Sequence, residues 1–217
     1  MPHFFAERDG DRVRITGRDA RHLTVSLRAR PGQLIAVVEP PGRLLRVRLE
    51  TVAPGQVTGR VEEERPHQPE PGRSITLAVA LLPASSLDLV LSRCTEAGAG
   101  AFRLVAAARS VARGARPERW ALICREAAML AGRLRVPEVR GPVDFAAAWQ
   151  DAADPYLLDI GGQPMRGLPD GATLFVGPEG GWAPEELELA AGRARSLGPR
   201  NLRADTAALV GLTLSLL

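Results

Sequence analysis

The chain has 217 residues, 45% of them apolar, and a formal net charge of +3. That length is long for one domain and comfortable for two, and the apolar share is ample for a buried core, yet no apolar run reaches the roughly 18–20 residues of a membrane span. All 28 basic residues are arginine, which excludes a Walker-A lysine, Schiff-base chemistry and any lysine general base.

In chain order, residues 1–64 read as β-rich. Arg12–Thr16 and Arg43–Val52 alternate polar with apolar, Gln33–Val38 is an apolar run, and Gln56–Glu62 follows a Pro-Gly turn. One helix is expected between Asp19 and Arg28, with Asp19 as its cap and Pro31-Gly32 as its stop. Several short strands with tight turns make a small barrel or sandwich. Arg46 and Arg48 recur on the polar side of the fifth decade's strand, where a β-module presents cations to a phosphate backbone. Arg65–Arg73 holds three prolines and a glycine and reads as a linker between a first domain, 1–68, and a second, 74–217.

Beyond the linker, strands alternate with helices, the pattern of an α/β domain. Ser74–Leu82 is fully apolar, as in a buried parallel strand. A helix from about Ser86 to Ala97 stops at Gly98, a second strand covers Phe102–Ala106, and a long helix runs from Pro117 to Ala131. That helix carries Trp120, Ile123, Cys124, Ala127 and Leu130 along one side. Strands are expected at Pro137–Val139 and Pro155–Ile160, with a helix near Asp144–Gln150 between them. Then comes Thr173-Leu-Phe-Val176, a short apolar strand that breaks into Gly177-Pro-Glu-Gly-Gly181 and resumes as a helix at Pro184-Glu185-Glu186. Strand, glycine loop and helix let backbone amides approach a ligand closely, although a tight turn explains these residues equally well. Ser196–Arg203 is a second glycine-proline turn, and an apolar helix, Asp205 to Leu217, closes the chain.

Charge is unevenly spread. From Arg12 to Arg48, nine arginines face two acids (9 − 2 = +7); from Arg73 to Arg140, eleven face five (11 − 5 = +6); from Gly141 onward, five face ten (5 − 10 = −5). A polyanion surface is therefore expected away from the C-terminal part. His3, His22 and His67 are scattered, no HExxH or triad spacing exists, and no carboxylate cluster has metal-ligand spacing. The glycine loop is not G-x-G-x-x-G and falls late in its domain, against a dinucleotide fold. Cys94 and Cys124 are too far apart in sequence for a metal pair, and Met1–Arg8 lacks the apolar core of a secretory signal, so a cytoplasmic home without metal or membrane is expected.

Gly177-Pro-Glu-Gly-Gly181 with Glu185, then Leu197-Gly198, then Leu202-Arg203 and Asp205-Thr206-Ala207, resemble the C-terminal signature of the SPOUT methyltransferases, and of their RsmE family in particular. Arg21-His22-Leu23 with Leu27-Arg28 and Pro31-Gly32 is similar to that family's N-terminal PUA-like module. Thr95-Glu96, Gly98, Arg109-Ser110-Val111, Glu126-Ala127, Gly132-Arg133 and Val136-Pro137 follow in the family's order. The resemblance implies an α/β SPOUT-type domain with a C-terminal trefoil knot, preceded by a small β-barrel PUA-like domain that binds RNA. It also implies a homodimer and methylation of N3 of one uridine in 16S ribosomal RNA, or in the small ribosomal subunit, from S-adenosyl-L-methionine (SAM). The same fold acting on another ribosomal or transfer RNA site, or a non-catalytic RNA-binding relative, are the alternatives.

SAM would sit against Val176, Gly177, Pro178, Glu179, Gly180, Gly181, Leu197, Gly198, Leu202, Arg203, Thr206 and Ala207. Arg203 and Arg133 would orient the RNA or the uracil carbonyls, and Glu179 would hold the loop or touch cofactor or substrate. Arg21, His22, Arg28, Arg46, Arg48 and Arg109 would contact RNA. The chain departs from the family where Leu130 replaces the usual glutamine, Ala108 the usual glutamate and Asn201 the usual isoleucine.

Overall fold

A computed structural model describes residues 2–217. The chain divides into two units: one contains the residues up to Glu70 together with Ala128–Arg135, the other Pro71–Ala127 and Val136–Leu217. The linear reading of the sequence assigns Ala128–Arg135 to the domain after the linker; in space this segment packs with the first unit, because Met129 joins that unit's core.

The first unit is built on a six-stranded sheet. Its strands are β1 (His3–Phe5), β2 (Glu7–Asp9), β3 (Arg12–Thr16), β4 (Leu34–Glu39), β5 (Arg43–Ala53) and β6 (Gln56–Pro66), in the order β1-β4-β5-β6-β3-β2. Strand β1 runs parallel to β4, and every other neighbour is antiparallel. Period-2 alternation sends Val13 and Ile15, then Leu45, Val47 and Leu49, to one face. Those side chains meet Phe4, Ile35, Val37 and Val57 in a single core, around which the sheet curls. Register shifts near Arg46 and Leu49 on β5 supply local bends. The expected helix is shorter than its pattern: α1 (Gly17–Arg21) passes into a π-helical turn, His22–Ser26. Thr16, not Asp19, occupies the cap, because Gly17 at φ +60° turns the chain directly out of β3 and leaves Asp19 buried inside the helix.

The outward arginines of β5 do not stand alone. Arg43 pairs with Glu64 at 2.5 Å, Arg46 with Glu63 at 3.6 Å and Arg48 with Glu62 at 2.5 Å. The positive excess counted from Arg12 to Arg48 is thus offset across the ladder by three glutamates that lie later in the chain.

The second unit is a six-stranded, all-parallel sheet in the order β12-β10-β11-β7-β8-β9. Its strands are β7 (Thr76–Ala80), β8 (Ala101–Ala106), β9 (Glu138–Asp144), β10 (Pro155–Pro164), β11 (Thr173–Val176) and β12 (Ala194–Ser196), the last of which has no strand signal in sequence. Helices α2 (Ala84–Ala97), α3 (Pro117–Ala131) and α6 (Ala204–Ser215) contribute to one hydrophobic core with Leu77, Val79, Leu104 and Leu174. Helix α4 (Phe145–Gln150) contributes to a second, around Phe145, Trp149, Phe175 and Trp182, and α5 (Pro184–Leu189) is flanked by two of its members, Trp182 and Ala190. With both faces covered, β7 and β11 read as unbroken apolar runs. On α3 the expected apolar stripe is shorter than drawn. Trp120, Cys124 and Ala127 are buried, but Leu130 is 62% exposed, because at 100° per residue it lies well off the line through the other three.

Candidate active site

Strand order places the chemistry. The sheet is extended from β7 outward in both directions, so β11 and β10 lie on the opposite side of β7 from β8 and β9. In such sheets ligands bind beyond the carboxyl ends of the strands, beside the reversal. Here Val176 ends β11 and is followed by the glycine loop, Leu158–Ile160 lie on β10 just past its pairing with β11, which ends at Leu157, and β12 leads into the second loop.

The glycine loop is held from three sides. Its Gly181 N–H donates to the Pro178 carbonyl at 2.9 Å, and Gly181 sits at φ +69°, which a side chain would strain. Trp182 donates its indole N–H to the Leu158 carbonyl at 2.9 Å, and a Cβ on Gly177 would fall 3.0 Å from that ring. Buried Glu186 accepts the Ala183 N–H on one oxygen (2.8 Å) and the Ala108 N–H on the other (2.9 Å). It thereby ties the start of α5 to the loop after β8. From that same loop, Arg109 donates to the Gly180 carbonyl at 3.1 Å. Pro184 opens α5 at the position where a missing N–H costs nothing.

The second loop, from Leu197 to Arg203, turns at Gly198 (φ +103°), whose N–H is accepted by the Ser196 hydroxyl at 3.2 Å. Arg203 then occupies the cap position of α6. Between the loops lies a cleft of about 600 Å³. Leu158, Ile160, Val176, Leu197, Leu202 and Ala207 give it apolar walls, and the glycines leave backbone groups uncovered. Asp159, Glu179, Arg195, Arg200 and Arg203 give it charge. Placed polar groups between apolar walls in a cleft of this size suit a nucleoside-sized ligand, and the residues present fit SAM.

The expected cofactor residues Val176 through Gly181, Leu197, Gly198, Leu202, Arg203 and Ala207 all line this one cleft. Thr206 does not; it is exposed, with its N–H donated to the Asp205 carboxylate, and at about 100° per residue it stands well round the helix from its neighbour Ala207. Arg200 and Asn201 within the second loop and Ala204 at the start of α6 also line the cleft, as do Leu158, Asp159, Ile160, Trp182 and Arg195, which escape sequence reasoning. The β10 and β12 contributions depend on which strands become neighbours. The one local hint is Asp159, which ends an apolar run just before Gly161-Gly162.

The other expected site residues are dispersed. Arg133 belongs to the first unit and is 2% exposed, with its guanidinium on Glu70 (Nη2 to Oε2, 2.6 Å). The Leu134 N–H donates to the other Glu70 oxygen at 2.9 Å. Burial pushes the Glu70 carboxyl up, but Arg133, the Leu134 N–H and Arg135 outweigh it and hold the carboxyl below its usual range. Arg21 and Arg28 are exposed, with no ion pair among the described residues, and His22 is half-buried beside Phe4. Arg46 and Arg48 carry their glutamate partners, and Arg109 is committed to the glycine loop. Among the described residues no group of three or more His, Cys, Asp or Glu could hold a metal.

Comparison with known proteins gives the same picture from another direction. Residues 68–216 match the RNA methyltransferase domain family. Ribosomal RNA small subunit methyltransferase E of Synechocystis sp. is 33% identical over 217 aligned residues, which cover 92% of this chain and 71% of that protein. The protein of the same name from Mycobacterium bovis is 34% identical over 219, covering 91% and 83%. Among solved structures, ribosomal RNA small subunit methyltransferase E from Neisseria gonorrhoeae, bound to S-adenosyl methionine, is 29% identical and superposes with a TM-score of 0.85 over 98% of this chain and 95% of that one. With a two-loop cleft at the carboxyl ends of a parallel sheet and likeness along nearly its whole length, the chain belongs to the RNA methyltransferase domain family.

Proposed function

We propose that the protein is a SAM-dependent methyltransferase of small-subunit (16S) ribosomal RNA that modifies N3 of one uridine. The observation that carries this reading is the convergence of the 177–181 and 197–203 loops on one cleft, in a chain whose relatives bear that enzyme's name. SAM supplies a methyl group already activated on a sulfonium, so the protein's work is binding, alignment and handling of the N3 proton.

The cleft's residues divide that work. Gly177, Gly180 and Gly181 leave backbone groups free to meet the cofactor, and Val176, Leu197 and Leu202 offer apolar contact to its adenosine. The carboxylates of Glu179 and Asp159 complement its positive centres. Arg203, exposed at the head of α6, directs the uracil carbonyls. Buried Arg133 holds the chain after α3 in shape through Glu70 and acts on substrate only through that segment.

The first unit serves as a PUA-like RNA-binding barrel (1–68), with unpaired Arg21 and Arg28 as its phosphate contacts, and 74–217 as the SPOUT domain. A trefoil knot is supported by the segment after β10, which is bonded both to β12 (Met165 N–H to Ser196 O, 2.8 Å) and to the end of α6 (Leu168 N–H to Ser215 O, 3.1 Å). A homodimer is supported by Leu89 on α2 and Val210 and Leu217 on or beyond α6, all exposed on helices that pack together. We place the enzyme in the cytoplasm: Cys94 and Cys124 are buried and form no disulfide, and no helix of the described residues is long and apolar enough to cross a membrane.

Small-subunit RNA from a strain lacking this gene should be missing one N3-methyluridine and regain it when the gene is restored. Persistence of the mark in the deletion strain overturns the assignment. Calorimetry with purified protein should show SAM binding, and its absence favours a non-catalytic RNA-binding role.

A further inference from the structure

The cleft contains more positive charge than its cofactor calls for. Arg195, Arg200 and Arg203 line it with Asp159 and Glu179. SAM brings a sulfonium and an ammonium against one carboxylate, so a single guanidinium could satisfy its only anion. None of the three arginines makes an ion pair among the described residues, whereas Arg43, Arg46 and Arg48 of the first unit are each matched by a glutamate. Four of the ten acids that make the C-terminal part negative in sum are engaged elsewhere. Asp144 caps α4, Asp151 pairs with Arg103, Asp154 with Arg193, and Asp170 accepts the Ser74 N–H.

Two of the three arginines are also pre-set. The Arg195 guanidinium lies 4.7 Å from the centroid of the Tyr156 ring and donates to the Ala194 carbonyl at 3.0 Å. Tyr156 is itself fixed by its hydroxyl on Asp154 (3.2 Å), and Asp154 by Arg193 (2.6 Å). Arg200 is exposed, and a Cβ on Gly198 would come within 3.7 Å of its Nη2, so the guanidinium rests over the left-handed turn of the second loop. A stacked or seated guanidinium loses little rotamer freedom on binding and grips a phosphate through two parallel N–H groups.

We infer that Arg195 and Arg200 form a phosphate-binding rim on the cofactor cleft, which takes a backbone phosphodiester of the substrate RNA beside the target nucleotide. The inference rests on the RNA methyltransferase reading above. A neutral uracil needs no such charge, and the phosphate is the anion that every nucleotide brings.

The test measures SAM affinity by calorimetry and affinity for a small-subunit RNA transcript at salt between about 50 and 200 mM. The variants are Arg200→Gln, Arg195→Lys and the double variant R195Q/R200Q. SAM affinity should stay within about twofold of wild type in all three. RNA affinity at low salt should fall about tenfold in R200Q and further in the double variant, and the slope of log affinity against log salt should flatten by about 0.7 for each guanidinium removed. Arg195→Lys keeps the charge and should keep the slope. If SAM binding weakens while RNA binding holds, the arginines serve the cofactor and the rim is wrong; if neither changes, it is wrong as well. Absence of SAM binding by the wild type would strike at the methyltransferase reading, while the RNA measurements would still judge the rim.

Discussion

At the residue scale, the glycine loop shows why residue size decides the site. Gly180 is not in a left-handed conformation, so its restriction is one of space: a Cβ there would meet the Arg109 Cβ at 3.3 Å. A branched side chain must displace Arg109 and break its bond to the Gly180 carbonyl. Gly180→Val should therefore lower SAM affinity at least tenfold in calorimetry while the chain remains folded by circular dichroism. Unaltered affinity would count against the loop as a cofactor wall. The glycine density of 177–181 was legible in sequence, but the reason for each glycine was not, since Trp182 and Arg109 reach the loop only through tertiary packing. Ala108 shows the same limit. It lacks the family's usual carboxylate, yet its backbone N–H is bound by Glu186, a tie that spans 78 residues.

At the element scale, most boundaries follow from local chemistry. Gly98 ends α2 at φ +107°, Pro184 opens α5, and the alternation of β3 and β5 matches their buried faces. Strand β12 and the contribution of β10 to the cleft were silent because parallel pairing is chosen by the whole sheet. The turn after α3 is an element held on Glu70, which pairs with Arg133 and, at 3.6 Å, with Arg135; the Glu70 and Arg133 side chains are 14% and 3% exposed. Because the folded carboxyl lies below its ordinary value of 4.5, the pairing stabilises the fold above that pH. Its contribution is lost as pH falls through the lower, folded value. Glu70→Gln removes the carboxylate bound to a buried guanidinium and should cost about 3 kcal/mol near neutrality. The difference in Tm between variant and wild type should narrow below pH 4.5, and a gap independent of pH would deny Glu70 its charged role.

At the scale of the whole molecule, Leu89 and Val210 are 45% and 36% exposed on two helices that pack on each other. A double substitution, Leu89→Arg with Val210→Arg, should convert a dimer into a monomer in light scattering without changing the circular dichroism. A wild type already monomeric at micromolar concentration would remove the basis for the dimer. The same scale explains where charge resides. By sequence alone the N-terminal part is cationic and the C-terminal part anionic, which points RNA contacts away from the cleft. Folding redistributes this: Glu62, Glu63 and Glu64 match the arginines of β5, while after Gly141 Asp151 and Asp154 pair with Arg103 and Arg193, and Asp159 and Glu179 share the cleft with Arg195, Arg200 and Arg203. By itself, the sequence determined the two-part organisation, the alternation of strands and helices, the exclusion of lysine chemistry and both loops that line the cleft, because turns, caps and periodicity are local properties of the chain. Only the tertiary structure decided that β10 and β12 complete the cleft, that Arg133 is buried on Glu70 and that Arg195, Arg200 and Arg203, without an ion pair among the described residues, line the same cleft as the glycine loop. Each of these depends on pairings between residues distant in sequence, and local chemistry does not choose among distant partners.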